Sequence, residues 1–312
     1  MIKRTQNKIA ESRTTLPVVV SYAILIWMAA GLLTHNWWIQ FACFLVSSYL
    51  MVELNNQNAL IRIYSRMVSC SFLVLSCAGN FLFPSLETAL GQLCFICFLL
   101  LLFRTYQDKA SPGGTFYAFV MMGLASLVHV RVFFFVPLFW LFMAFKIQSL
   151  SWRSFFASLF GLLLPYWFAM AYMAYMADFS PLLEHFQQLG YVEFPFAYDS
   201  LSLQQVLFYL LLVVIVAIGS IHYLRTRFKD KIRTRMLFDC FIITAVTALV
   251  LLAIQPQHFT LLLPISIVCA SPLIAHFLAL TSTRWTNIVF HVIITLLLAL
   301  TAFNLWMLSS NS

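Results

Sequence analysis

The sequence predicts an all-α, polytopic transmembrane helix bundle of about 10–11 spans with a cytoplasmic N-terminus. Three observations lead to this reading. Of the 312 residues, 62% are hydrophobic and only 9% are charged, against about 25% charged in an average soluble domain. Apolar stretches recur along the whole chain, and mean hydropathy is +0.93. Basic residues gather in every second connection between those stretches, as they do in cytoplasmic loops. Together these exclude a soluble enzyme, a disordered chain and a secreted disulfide scaffold. The apolar runs are continuous, so an alternating outer-membrane barrel is excluded too.

Crossing a hydrocarbon core of ~30 Å takes about 20 largely apolar residues in a helix. Candidate segments fall at 17–34, 37–53, 67–83, 88–104, 115–130, 132–146, 154–177, 203–223, 236–254, 259–279 and 286–308. The stretch 115–146 is too long for one helix and short for two. Arg131 in its middle predicts a tight hairpin of two short helices. Charge parity supports that choice. With two crossings there, Lys3, Arg4, Lys8 and Arg13, then Arg62 and Arg66, Arg104 and Lys109, Lys146 and Arg153, and Arg284 all lie inside. So does the densest basic segment, 224–235, with Arg225, Arg227, Lys229, Lys231, Arg233 and Arg235. Arg131 alone of the 18 basic residues then lies outside.

The net charge of +8 is accounted for by these topogenic loops and implies no nucleic-acid partner. The segment 224–235 can attract anionic head groups at roughly 1 kcal/mol per basic residue. The first apolar segment lacks a small-residue cleavage site before Trp37-Trp38 and reads as an uncleaved anchor. Pro264 and Pro272 are expected to break the helix at 259–279, since each removes one internal hydrogen bond. The whole chain reads as a single integral membrane domain.

The one long polar connection is the external loop 178–202, which holds Asp178, Glu184, Glu193 and Asp199. Ser180-Pro181 is a helix start and Gly190 a stop. Leu182, Leu183, Phe186 and Leu189 form the expected apolar face, so 181–189 reads as an amphipathic helix lying on the membrane interface. Ser202 and Gln205 have capping-box spacing for the next span.

Few residues carry chemistry. Glu184 and His185 are acid/base candidates at the outer face; a solvated loop is the plainer reading. His129 and Arg131 sit at the outer turn of the hairpin among Phe133, Phe134 and Phe135. A guanidinium there can grip a phosphate or carboxylate on a membrane-soluble substrate, or simply snorkel to lipid phosphates. Cys94 and Cys97 form a C-x-x-C inside an apolar run with no second cluster to complete a metal site, and the five other cysteines are scattered singly. His222, His276, His291, Asn80, Gln92 and Asn304 lie in or near spans, where interhelical hydrogen bonds of about 0.6 kcal/mol are the plain account. No span shows a well-buried carboxylate, and Asp239 is expected to pair with Arg235. There is no phosphate-binding glycine loop and no HExxH; no metal or cofactor is expected.

Asn55-Asn56-Gln57-Asn58, the run from Phe98 to Arg104 and Tyr106, Gly123-Leu-Ala-Ser126, Trp152-Arg153 and Gly161-Leu-Leu-Leu-Pro165-Tyr166 make a recognisable order. Over about residues 55–170 the chain resembles an uncharacterised family, a domain of unknown function, of polytopic inner-membrane proteins of Bacteroidota. Where those proteins carry an acidic residue ahead of the Gly-Leu-Ala-Ser segment, this chain has Gly113-Gly114-Thr115. The resemblance implies a multi-pass place in the bacterial inner membrane and no established activity.

Two functions fit. The first is a non-enzymatic envelope component, a transporter subunit or scaffold within a membrane complex. The alternative is an enzyme or accessory factor acting on lipid-linked sugars at the outer face. Membrane lipids and an anionic or lipid-linked substrate are the expected partners. The first outer loop, Thr34-His35-Asn36, has no acid, which favours the non-enzymatic reading.

Overall fold

The computed structural model describes residues 4–190, 198 and 201–310. Lys3, Glu193 and Asp199 lie outside the described residues. The described chain is all-helical: α1 (Thr5–Glu11), α2 (Thr15–Ala29), α3 (Trp38–Asn58), α4 (Met67–Ala78), α5 (Leu86–Arg104), α6 (Pro112–Val128), α7 (Val136–Phe145), α8 (Trp152–Met176), α9 (Ser180–Gly190), α10 (Leu203–Thr226), α11 (Ile232–Ile254), α12 (Phe259–Leu280) and α13 (Arg284–Ser310).

Seven of these helices are long and apolar enough to cross a membrane, or eight if α1 and α2, bent by 89°, count as one. The remaining apolar segments are present as shorter helices at 67–78, 112–128 and 130–145. The protein is therefore a multi-pass membrane protein, with three of the expected spans shorter than a full crossing.

The chain forms two compact units, residues 1–89 with 197–312, and residues 90–196. In the first unit α12 is the central element, packed by α11, α10, α4 and α1. Residues 261–279 are all buried, as a helix hydrophobic on every face should be.

The two prolines do not break α12. Pro264 leaves the Thr260 carbonyl without its helical donor, and the Thr88 hydroxyl, shared with Ser85 Oγ at 2.8 Å, approaches that place at 3.4 Å. Near Pro272, Gly219 lets α10 approach closely: a Cβ there would stand 2.8 Å from the Leu273 carbonyl carbon. Neighbouring helices thus repair or exploit what proline removes.

Polar residues in this unit mostly tie helix to helix. Asn304 donates to the Ala78 carbonyl at 2.7 Å and Asn80 to the Thr301 carbonyl at 3.2 Å, a reciprocal clasp between α13 and the end of α4. Gln6 donates to the Leu278 carbonyl at 2.7 Å and to Thr281 Oγ1 at 2.6 Å, where the helix end leaves acceptors free.

At that same end Ser65 Oγ donates to the Ala10 carbonyl at 2.7 Å. Arg62 Nη1 lies 3.8 Å from Asp230 Oδ1, and Asp230 Oδ2 lies 3.1 Å from His276 Nε2. The basic segment is therefore not simply solvated, because its Asp230 is buried. Asp239 Oδ1 meets Arg227 Nη1 at 3.7 Å, a partner beyond the one the sequence suggested.

In the second unit aromatic rings hold the early helices together. Phe98 of α5 meets Phe119 of α6 at 5.5 Å and Phe139 of α7 at 4.5 Å, both edge-on. α6 packs most closely on α8, through glycine on both sides. A Cβ on Gly123 would lie 2.8 Å from the Leu162 carbonyl oxygen, and one on Gly161 would lie 2.5 Å from that of Phe116.

The stretch 112–145 goes out and comes back. The Gln107 N–H donates to the Ile147 carbonyl at 2.8 Å, and Ser151 Oγ to the Lys109 carbonyl at 3.3 Å. This is the hairpin expected from Arg131.

Candidate functional site

The far end of that hairpin carries the chemistry. α6 stops because the chain goes extended at His129 (φ −135°, ψ 96°), and a 3-10 turn, Val130–Phe135, leads into α7. Stopping there leaves the last carbonyls of α6 without helical donors. The Ser126 carbonyl is taken by His185 Nε2 of α9 at 3.0 Å. Tyr166 Oη of α8 lies 3.2 Å from the same Nε2 and 3.0 Å from Ser126 Oγ. Three helices thus converge on one residue.

The donors can be assigned by elimination. A carbonyl only accepts, so His185 Nε2 carries the hydrogen and shares it between the Ser126 carbonyl and Tyr166 Oη. The Tyr166 hydroxyl donates to Ser126 Oγ, which donates in turn to the Gly123 carbonyl at 2.7 Å. The chain of donors therefore ends on backbone. No base accepts the serine proton, so Ser126 is not set up as a nucleophile. What the arrangement does is clamp α9 onto the end of α6 and the middle of α8.

Around the clamp stand aromatic rings. Tyr166 lies 5.9 Å from Phe133 and 5.1 Å from Phe186, and His185 meets Phe186 edge-on at 5.7 Å. Arg131 is half-buried on the 3-10 turn two residues before Phe133. The half-buried His129 ring faces α5, 3.8 Å from where a Cβ on Gly91 would be.

The four residues singled out from sequence separate here. His129 and Arg131 share the turn, and α9, which carries His185, packs against it. Glu184 is exposed while His185 turns inward, about 100° round the helix, so the two make no dyad. The inward stripe is Leu182, His185 and Leu189, while Leu183 is 62% exposed. The apolar face is thus rotated from the expected one, with histidine on it.

α9 starts at Ser180 and stops at Gly190 as its sequence signals indicate, but its capping contact differs. Asp178, not Ser180, supplies the capping acceptor: its Oδ1 takes the Ser180 hydroxyl at 2.6 Å and the Ser180 N–H at 2.9 Å. Those two donors, the hydroxyl first, hold the Asp178 carboxyl below the usual carboxylate range. The Ser202–Gln205 capping box is present as its spacing predicts.

Sequence reasoning passed over Tyr166 and Ser126 as site residues, although both lie in segments noted for their order along the chain. Polar hydroxyls one and three residues from a proline or glycine were the available signal. All seven cysteines are free thiols. Among the described residues no group of three or more His, Cys, Asp or Glu is placed to hold a metal ion. No family model, curated protein or solved structure matches this chain.

Proposed function

We propose that the protein is a non-enzymatic component of a bacterial inner membrane that binds an anionic amphiphile, a phosphate- or carboxylate-headed lipid-like molecule, at the outer mouth of the 112–145 hairpin. The observation that carries this reading is Arg131, half-buried on a 3-10 turn walled by phenylalanine and covered by α9. A guanidinium in that setting offers a planar fork to a phosphate, while the rings accept the first part of an apolar tail. The donor chain ending on the Gly123 carbonyl favours binding over hydrolysis.

The orientation rests on charge parity. Supporting it, the N-terminal helix, the 59–66 connection, the turn after α10 and the end of α12 are tied together at one end of the first unit. All four are segments that parity assigns inside. Reporter fusions after Lys109, Lys146 and Lys231 should read cytoplasmic, and those after Glu87 and Gly190 external; a cytoplasmic signal at Gly190 would refute the orientation.

Binding is tested with protein in nanodiscs and a long-chain polyprenyl phosphate as probe, the uncharged polyprenol serving as control. Arg131→Gln should weaken binding of the phosphate about tenfold or more, as loss of a charge-assisted bidentate contact requires. Arg131→Lys should recover only part. Equal binding of phosphate and alcohol, or full binding by Arg131→Lys, would remove the guanidinium site.

A further inference from the structure

The first unit contains a second polar cluster, remote in sequence from the hairpin. Asp230 stands in the turn between α10 and α11 with its side chain 2% exposed, and its Oδ2 meets His276 Nε2 of the central helix at 3.1 Å. The His276 side chain is fully enclosed. Arg62 Nη1 approaches Asp230 Oδ1 at 3.8 Å from a partly exposed position. A buried carboxylate is costly unless paired and hydrogen-bonded, and here it has both kinds of partner.

The rest of the cluster surrounds the imidazole. His222 of α10 lies 5.6 Å from His276 between ring centres, Tyr223 packs edge-on at 5.1 Å, and Phe238 of α11 does so at 5.1 Å. His222 is half-buried and therefore reachable from outside the unit. Two atoms are left over: His276 Nδ1 and the Tyr223 hydroxyl are buried and have no hydrogen-bond partner among the described residues. With Nε2 donating to the carboxylate, Nδ1 is a bare acceptor. A buried acceptor facing apolar rings loses free energy until something donates to it.

We propose that Asp230 and His276 form a proton-binding site, in which His276 Nδ1 takes the proton and His222 delivers it from water. The bookkeeping of atoms is simple. A hydronium ion protonates His222, a water relays one proton inward because the two rings, 5.6 Å apart between centres, share no hydrogen bond, and His276 becomes an imidazolium hydrogen-bonded through Nε2 to the Asp230 carboxylate. The pair changes from −1 to neutral.

The groups that face the pair set when it fills. Burial of the imidazole opposes the added charge most, the Arg62 guanidinium opposes it too, and the Asp230 carboxylate favours it. From α11 comes Asp239, engaged with Arg227, and from α1 the uncharged Gln6 at the Leu278 carbonyl. Filling the site would alter the link between the 227–231 turn, the 59–66 connection and α12.

The test uses full-length protein in detergent micelles with histidine labelled at Cε1, followed by NMR from about pH 4.5 to about pH 8.5, two units either side of the ordinary histidine value of about 6.5. The His276 resonance is the one missing from His276→Gln. Should that variant not fold, it is identified as the resonance most displaced by Asp230→Asn. The expected result is a single titration of His276 whose midpoint moves by about one unit or more in Asp230→Asn, because the carboxylate favours the imidazolium. In His222→Phe the exchange between the two forms should slow at least about tenfold, or 1.4 kcal/mol in barrier. A His276 signal that stays constant across the range, or titrates identically in Asp230→Asn, would overturn the site. An unchanged exchange rate in His222→Phe would overturn the delivery route.

Discussion

Gly161 and Phe116 lie so close that a methyl group on the glycine would stand 2.5 Å from the phenylalanine carbonyl oxygen. The contact is backbone to backbone, so no flexible side chain can move aside. Gly161→Ala should therefore cost about 1–3 kcal/mol or more through overpacking, read as a lower unfolding midpoint in detergent. Gly113→Ala is the control: nothing lies within 4 Å of its added methyl, and the change should stay within about 0.5 kcal/mol or stabilise α6.

The hold of α9 on the second unit should fail in a graded way. Tyr166→Phe removes the hydroxyl between His185 and Ser126, worth about 0.5–1.5 kcal/mol. His185→Ala removes both donations and the edge contact with Phe186. A cysteine placed at Leu189, on the half-buried stripe, should react with a membrane-impermeant thiol reagent several-fold faster in the His185→Ala background. Glu184→Gln should leave that rate unchanged, since Glu184 is on the exposed side. Equal acceleration by both would mean that α9 is not held by its histidine.

Asp178 gives α9 a dependence on acid. Its carboxyl is held below the ordinary range by the Ser180 hydroxyl and N–H. The contribution is therefore complete above the unfolded carboxylate value of about 3.9 and fades as the pH falls through the lower folded value. Amide exchange at Ser180 should be faster in Asp178→Ala than in the wild type near neutrality. The two rates should converge under strong acid, and a ratio constant with pH would show that the carboxylate is not the cap.

The link between Thr88 and Pro264 can be measured as a coupling. In the wild type the Thr88 hydroxyl meets the carbonyl that Pro264 leaves free. In Pro264→Ala that carbonyl regains a helical N–H, so Thr88→Val should cost less there than in the parent chain. A double-mutant cycle on unfolding free energies should show a coupling of about 0.5 kcal/mol or more. Additive effects would mean that the threonine does not serve the proline.

Much of this architecture could be read from the order of residues. Hydropathy marked the apolar helical segments, because span length is fixed by the bilayer rather than by neighbours, but the short polar α1 went unmarked. The out-and-back course of 112–145 followed from one misplaced arginine, and the start of α10 from Ser202 and Gln205. What escaped was set by tertiary contact. The unbroken α12 depends on Thr88 and Gly219, residues far away in the chain. Asp230 drew no notice among its six basic neighbours in sequence, yet one histidine 46 positions later draws it inside. His185 looked like Glu184's partner by adjacency, although consecutive residues on a helix point about 100° apart. The spacing Leu182, His185, Leu189 already placed it on the inward stripe.

The enclosure of α12 bears on how the molecule is made. A chain synthesised from its N-terminus delivers α4, α10 and α11 before the helix they embrace. Until residues 261–279 arrive, the faces destined for α12 have only lipid or one another to touch. Those faces include the clasping Gly219 and the imidazole-binding surface of Tyr223 and Phe238. Nascent chains halted after His258 should accordingly be the forms most readily recognised by membrane proteases, and release of one further helix should protect them.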